Sequence, residues 1–298
     1  MILVTGGTGF VGPKVVRALR DRGYDVRCLV RDRRRASGVA ALGAELVEGD
    51  VTDAASLRVA AHGCEEVVHL VSIVEGSRAD YDRVMKGGTR NVVAAAKEVG
   101  ARRFVHMSAL GVNDRTRFVT PYFEAKWEME KTVRESGLEH VIFHPSFVFG
   151  RDGGVLPTFV RVARWSPVTP IVGGGSERFQ PIWAEDVGVY FALSIDEPAA
   201  ANRTFEIGGP DVVTWDEFWA RLKRALRVRR PSLHLPFGLM DAQARLTERL
   251  PGAPVTRDQL KMLAAADYVV SLPDAVETFQ LPLVPLDDQL RHAVSRND

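Results

Sequence analysis

Two residues four apart, Tyr122 and Lys126, set the chemical question. They stand at the start of a predicted helix, so both side chains fall on one face. A free phenol is neutral at neutral pH, with a pKa of ~10. A nearby ammonium favours the phenolate. Such a pair can pass a proton to or from a carbonyl or alcohol while a hydride moves to or from nicotinamide, and the ammonium can also hold the nicotinamide ribose. The spacing alone is common. It gains meaning here because it follows a predicted strand in a chain that opens on a dinucleotide-binding pattern.

That pattern starts almost at the first residue. Met1–Val4 reads as a short buried strand, Thr5-Gly6-Gly7-Thr8-Gly9-Phe10-Val11-Gly12 as a glycine turn, and Pro13–Arg20 as an amphipathic helix. Strand, glycine turn and helix together make a pyrophosphate cradle, because glycines allow a tight turn and close backbone approach. The helix start adds free N–H groups and a positive dipole end. Pro13 fits the first helical turn, where an amide has no intrahelical partner.

The second strand, Asp25–Val30, ends without the acid that bonds both ribose hydroxyls of NAD. Val30 holds that position, and Arg31, Arg33, Arg34 and Arg35 follow. A guanidinium there suits a 2′-phosphate, which favours NADP(H). Two alternatives stay open: NAD(H), if Asp32 turns in, and a merely solvated basic loop. After the third strand, Asp50 can accept the adenine amino group with Val51 against the ring, or it can serve a local turn.

These residues need a scaffold. Strands are expected at Asp25–Val30, Glu45–Glu48, Glu66–Leu70, Arg103–Met107 and His140–Phe143, with helices near Asp53–Ala61, Asp80–Val99 and Tyr122–Ser136. Alternation of this kind gives an α/β fold, a doubly wound parallel sheet with right-handed crossovers. Residues 1–150 form the expected dinucleotide-binding domain, with returning segments near 182–210. Residues 151–298 form mainly a smaller C-terminal α/β lobe with terminal helices. Val187–Ile195 reads as a returning helix and Arg203–Ile207 as a strand. Thr214 and Glu217 form a capping box for a helix to Leu226. Pro231–Pro236 is extended, and Phe237–Leu250, Thr256–Ala266 and Leu286–Val294 read as amphipathic helices.

Composition narrows the classes. The 298 residues are 46% apolar and 26% charged, with net charge +1, so no global field argues for nucleic acid or an anionic membrane. Cys28 and Cys64 make no disulfide framework. No Cys-x-x-Cys pair and no serine-hydrolase elbow occur, and no metal site is expected. No apolar run reaches membrane-span length. The first strand begins at Met1, leaving no room for a leader, so a cytoplasmic setting is expected.

Taken in order, Thr5-Gly6-x-x-Gly9-x-x-Gly12, Asp50-Val51, His69-Leu70, Ser108, Tyr122-x-x-x-Lys126 and Pro145-Ser146-Phe147-Val148-Phe149-Gly150 resemble an extended or atypical short-chain dehydrogenase/reductase. Gln180-Pro181-Ile182-x-x-x-Asp186-Val187 resembles that family's return to the sheet. The Val30-Arg31 strand end and the tail Leu250–Leu260 are similar to bacterial relatives of the dehydrogenase-like accessory subunit of respiratory complex I. The resemblance implies roles. Gly6, Thr8, Gly9, Phe10, Val11 and Gly12 would hold the pyrophosphate, Arg31 the 2′-phosphate, and Asp50 and Val51 the adenine. Leu70 and Val71 would line the path to the ribose, and Pro145, Ser146 and Phe147 would flank nicotinamide. Tyr122 would be the acid/base, Lys126 its partner, and Ser108 the substrate-orienting hydroxyl. In the family that hydroxyl usually lies one residue later, where this chain has Ala109. A segment that often carries arginine has His144, which could meet substrate but reads first as a packed or hydrogen-bonded structural histidine.

Three functions follow as expectations. The first is an NADP(H)-dependent oxidoreductase of a small or apolar carbonyl, alcohol or quinone-like substrate. The second is an NADP(H)-binding module without turnover, serving assembly or redox sensing in peripheral association with a respiratory complex; the missing hydroxyl at Ala109 motivates it. The third is an NAD-dependent epimerase or dehydratase. The expected partners are a small-molecule substrate and no nucleic acid, with the chain a monomer or homodimer.

Overall fold

A computed structural model of the protein describes residues 1–247, 256–265, 268–271 and 273–295. The chain divides into two units. The first holds residues 1–145, 184–207 and 272–282; the second holds 146–183, 208–271 and 283–298.

The first unit begins with β1 (Ile2–Thr5), every residue of which is buried, and α1 (Gly12–Asp21). Strand β2 (Val26–Val30) leads through a 3₁₀ turn at Arg33–Ala36 and the short α2 (Ser37–Ala40) to β3 (Glu45–Glu48). Helix α3 (Ala54–Ala61) starts at Asp53, whose side chain accepts from the Ala55 amide at 2.9 Å, a cap of the expected kind. Strand β4 (Glu66–His69) follows. Then α4 (Arg78–Asp80) runs through a π-helical stretch, Tyr81–Gly87, into α5 (Gly88–Glu98). Strand β5 (Arg103–Met107), α6 (Pro121–Arg134) and β6 (Glu139–Pro145) complete the alternation.

Beyond Pro145 the second unit starts with β7 (Val148–Phe149), α7 (Leu156–Trp165), β8 (Thr169–Val172), β9 (Arg178–Phe179) and β10 (Ile182–Trp183). The chain then returns to the first unit as α8 (Ala184–Leu193) and β11 (Arg203–Ile207). The second unit resumes with β12 (Val213–Thr214), α9 (Trp215–Ala225), β13 (Ser232–Leu235), α10 (Phe237–Thr247) and α11 (Arg257–Ala265). Helix α12 (Asp274–Phe279) belongs to the first unit and α13 (Leu286–Val294) to the second. The expected helix over Phe237–Leu250 is described as far as Thr247; its last three residues, the Leu250–Val255 motif and Ala266 lie outside the described residues. No described helix is long and apolar enough to cross a membrane.

The first unit is built on a seven-stranded, wholly parallel sheet in the order β11-β6-β5-β4-β1-β2-β3. The chain winds outward from β1 to β3 and then reverses to β4, so the switch point falls between β1 and β4, where a doubly wound sheet opens its ligand crevice. On one sheet face Leu3, Val67, Phe104 and Ile142 pack with Leu57 and Ala60 of α3, Val92 of α5 and Val133 of α6. Along each strand on that face the next inward residue is polar. Leu3 gives way to Thr5, Val67 to His69, Phe104 to His106 and Ile142 to His144, all buried. On the other face α1 packs against α8, and Phe143 gathers Tyr190, Phe191, Phe205 and Phe279 of α12.

The second unit has three two-stranded pairs, β7 with β10, β8 with β13, and β9 with β12. Its core mixes rings with aliphatic side chains: Phe149, Phe179, Phe218 and Trp219 are buried with Leu156, Ile171 and Leu290, and Phe179 stacks on Trp215 at 4.3 Å. The capping box expected at Thr214 and Glu217 starts α9. Gln180 holds three strands of chain together. Its amide donates to the Tyr268 carbonyl, its Nε2 to Gly209 O at 2.6 Å, and its Oε1 accepts from Val270 N.

Helices α1 and α8 touch backbone to backbone at Gly188. A Cβ there would stand 2.6 Å from the Lys14 carbonyl oxygen. Gly188→Ala should therefore lower the unfolding free energy by about 1–3 kcal/mol, the usual cost of overpacking. Urea denaturation with a far-UV readout measures this; wild-type stability in the variant contradicts the close packing.

Candidate functional site

The glycine turn leaves β1 at the switch point, and each glycine answers a separate steric demand. Gly6 has φ of +81°, and a Cβ on it would come within 2.9 Å of Val71 N just past β4. At Gly12 a Cβ would lie 2.3 Å from Gly7 O, so the helix could not seat on the turn. Gly9 donates to Gly6 O at 3.0 Å and stands exposed beside Thr8. Among the described residues the amides of Phe10 and Val11 reach no backbone carbonyl. Unpaired donors at the start of a ten-residue helix fit a pyrophosphate. Leu70 closes the opposite wall, its amide bonded to Thr5 O at 2.9 Å, with Val71 next to it.

The loop after β2 sorts its charges. Asp32 caps the following 3₁₀ turn, accepting from the Arg34 amide at 2.9 Å and lying 3.3 Å from Arg34 Nε. Arg33 donates to Leu46 O at 2.7 Å. Arg31 is exposed and has no side-chain partner among the described residues. Asp50 Oδ1 takes the amide and hydroxyl of Thr52 at 2.8 and 2.7 Å, the local-turn role. Val51 is buried beneath Gly88, where a Cβ would come 2.8 Å from its Cγ2.

Tyr122 and Lys126 share a face of α6 as the spacing predicts, but their coupling is not the expected one. The Lys126 ammonium lies 6.0 Å from the centroid of the Tyr122 ring and donates to Met107 O, the end of β5, at 2.8 Å. Burial sets the phenol: it pushes the Tyr122 pKa up, the neighbouring Tyr81 adds to this, and the Ser72 hydroxyl opposes it. Lys126 is itself almost fully buried, which brings its pKa down to about 8 against the attraction of Glu130. The phenol is therefore held protonated at neutral pH, not lowered by the ammonium.

Below this pair is a group the sequence reading did not single out. Glu130 is wholly buried. Ser108 donates its hydroxyl to Glu130 Oε1, and His144 Nε2 lies 2.9 Å from the same oxygen. Arg134 reaches Oε2 at 2.7 Å. Burial alone would raise the Glu130 pKa; His144, Ser108 and Arg134 together hold it below the usual carboxylate value. The signal was available, since Tyr122, Lys126, Glu130 and Arg134 recur at every fourth residue of one helix. Ser108 thus turns its hydroxyl into this network, and Ala109 carries no hydroxyl. His144 is buried against this carboxylate.

His69 and His106 lie at the ends of β4 and β5, close to the strand end that Lys126 bonds. His69 Nδ1 lies 2.7 Å from Thr5 Oγ1 and Nε2 lies 3.0 Å from Thr89 Oγ1. Thr89 gives its own proton to Met85 O, so His69 Nε2 must be the donor there and Nδ1 the acceptor. Burial brings the His69 pKa down to about 3, with Lys126 adding to it. His106 stacks on His69 at 5.4 Å, and burial likewise keeps it neutral.

Pro145 ends β6 in the first unit. Ser146 and Phe147 belong to the second, where Ser146 Oγ donates to Tyr268 O at 2.9 Å and Phe147 packs on Tyr268 and Phe179.

A parallel doubly wound sheet with an unblocked glycine turn at its switch point defines a dinucleotide-binding protein. The chain belongs to the NAD(P)H-binding family, whose model matches residues 6–158, within the extended short-chain dehydrogenase/reductase-like group. It is 31% identical over 215 residues to subunit 9 of the mitochondrial NADH dehydrogenase [ubiquinone] 1 alpha subcomplex of Mus musculus, covering 70% of this chain and 56% of that one. The chain thus spans little more than half the length of that relative. It is 26% identical to the NAD(P)H azoreductase of Xenophilus azovorans, across 93% of this chain and 91% of that protein. In fold it is similar to an NADPH-dependent quinone oxidoreductase of Escherichia coli complexed with NADPH, with TM-score 0.79 at 19% identity over 99% and 100% of the two chains.

Glu130→Gln should leave His144 and Arg134 without their shared counter-charge and destabilise the fold by about 3 kcal/mol, as when one partner of a buried ion pair is removed. Chemical denaturation checks this. A loss within the scatter of surface substitutions would mean the network carries no stability.

Proposed function

We propose that this protein is an NADP(H)-dependent reductase of an apolar carbonyl or quinone-like acceptor. The observation that carries the reading is a half-buried phenol, Tyr122, kept protonated beside a buried ammonium, Lys126, on the helix that follows the glycine-turn sheet's fifth strand. A reduced nicotinamide, when bound, supplies a hydride. Tyr122 supplies the proton that an acceptor oxygen takes up as carbon or ring is reduced, and a neutral phenol suits that direction better than oxidation. The phenolate left behind regains its proton from solvent. Lys126, tied to Met107 O, would bond a ribose hydroxyl and steady the phenolate through its charge.

Preference for NADP(H) rests on Arg31, which is uncommitted among the described residues, and on Asp32, whose carboxylate is engaged in capping its own turn. A freestanding guanidinium is the group a 2′-phosphate needs. The azoreductase and quinone oxidoreductase similarities support reduction as the reaction class.

A second reading has its own observation. Ser108 is bonded into Glu130 and Ala109 has no hydroxyl, so the substrate-orienting group of active relatives is missing from its usual place. A nucleotide-binding module without turnover, in peripheral association with a respiratory complex, answers this feature; the mouse relative is named as a subunit of an NADH dehydrogenase [ubiquinone] subcomplex.

Fluorescence titration with NADPH and NADH, followed by a panel of quinones, azo dyes and carbonyls, decides between them. Acceptor-dependent NADPH oxidation is expected, with Tyr122→Phe lowering kcat at least about a hundredfold, as for loss of a general acid, and leaving NADPH affinity unchanged. Tight binding with no oxidation by any acceptor would favour the silent module. Arg31→Ala should weaken NADPH by about 1–3 kcal/mol and leave NADH untouched, as expected for a charge-assisted bond; equal losses for both cofactors contradict the 2′-phosphate assignment.

Turnover should also fall as pH rises through about 8, where Lys126 loses its charge. The sign follows from the depressed pKa: the ammonium is present below that value and absent above it. A pH–rate profile flat from neutrality to well above this value would dissociate Lys126 from the reaction.

A further inference from the structure

Within the second unit, positive charge and exposed apolar side chains collect on one surface. From Phe218 to Met240 no acidic residue occurs, and none occurs from Gly153 to Ser176. These two stretches carry Arg161, Arg164, Lys223, Arg224, Arg227, Arg229 and Arg230, none of which has a carboxylate partner among the described residues. Arg221 is set apart, being paired with Asp211 at 3.1 Å. The chain's net charge is only +1, so its remaining residues are net acidic and the positive charge is segregated here.

Hydrogen bonds bring the stretches together. Arg230 Nη2 donates to Arg164 O at the last turn of α7, at 3.4 Å. Lys223 Nζ donates to Arg230 O at 3.0 Å and to Ser232 Oγ at 2.9 Å. Strand β13 then pairs with β8, setting Leu233 opposite Pro170. Among these cations stands Trp165, 80% exposed, with Leu233 48% exposed; Phe237 and Leu239 continue the apolar row into α10. The flanking acids are engaged: Asp216 takes His234 Nε2 at 2.8 Å and Asp241 takes Arg245 at 2.9 Å.

We infer that this surface docks the protein on an anionic lipid bilayer. Uncompensated cations are drawn to acidic headgroups. An exposed tryptophan among leucine and phenylalanine finds its preferred place at the headgroup level, where the ring is buried and its N–H stays wet. A nucleic acid would use the same cations, but Leu233, Phe237 and Leu239 offer nothing to phosphates. The four apolar side chains therefore select the bilayer. Docking of this kind is peripheral and reversible. It is separate from the cofactor reading, since none of its residues is among those expected to hold the cofactor.

The test is co-sedimentation of the full chain with vesicles of equimolar phosphatidylcholine and phosphatidylglycerol, against phosphatidylcholine alone. Binding to the anionic vesicles only, weakened by salt, is expected. The double variant Arg229→Glu/Arg230→Glu should reduce partitioning by more than about tenfold. Trp165→Ser should also weaken it, and Trp165→Phe should abolish the blue shift in tryptophan emission on binding. All three side chains changed are surface groups, and unchanged NADPH binding in each variant confirms that it is folded. Failure to bind anionic vesicles, or binding indifferent to the charge reversals, overturns the proposal. So does a labelled single-stranded oligonucleotide that binds the same cations and is not displaced by vesicles.

Discussion

A carboxylate with no exposure to water has to be surrounded by donors, and Glu130 is the point at which that requirement organises the first unit. Its three partners come from the end of β5, from β6 and from its own helix. Helix α6 is thereby pinned to two neighbouring strands, and Lys126 and Tyr122 are placed one and two turns earlier on the same stripe. Magnitude separates this contact from the surface ion pairs. Arg58 and Glu98, at 60% and 51% side-chain exposure, contribute at most about 1 kcal/mol. A buried charge stripped of its partners costs several times that. The Glu130 charge also counters the burial of Lys126, so the ammonium is not isolated in the protein interior.

Much of the fold was legible because its signals are local. The alternation of apolar strands with amphipathic helices, the Asp53 cap and the Thr214–Glu217 capping box each depend on neighbours a few residues away. The doubly wound sheet and the family followed from motifs in order. Other features depend on distant packing. Asp80–Val99 reads as ordinary helix, yet Tyr81–Gly87 is π-helical and brings Tyr81 edge-on to Tyr122 at 6.5 Å. Helix α12 carries too short a pattern to stand out. The direction in which Ser108 points and the burial that governs Tyr122 could not be read from spacing, because both are set by side chains from other elements. Asp32 and Asp50 show the reverse: for each, the plain local role of cap or turn residue is the one formed.

The two units use polar groups in opposite ways. In the first, polarity appears at the carboxyl ends of strands whose earlier inward positions are Leu3, Val67, Phe104 and Ile142. Each strand pays in apolar burial first and ends in Thr5, His69, His106 or His144, so the reactive edge is anchored by the same strands that build the core. In the second, charge stays on the outside, and rings share the interior with aliphatic side chains. Phe149, Phe179, Phe218 and Trp219 provide large buried area with few torsions to order, which suits a unit whose strand pairs are only two to four residues long.

The path of the chain has a genetic consequence. It passes between the units five times, after residues 145, 183, 207, 271 and 282. The last visit to the first unit delivers only α12, yet Phe279 packs against Phe143, Tyr190 and Phe205, and Asp274 pairs with Arg203. Neither unit is therefore a single stretch of gene. Recombination that moves one contiguous segment would carry away part of both, so diversification of this architecture has to proceed by substitution and loop exchange in place, not by shuffling whole modules.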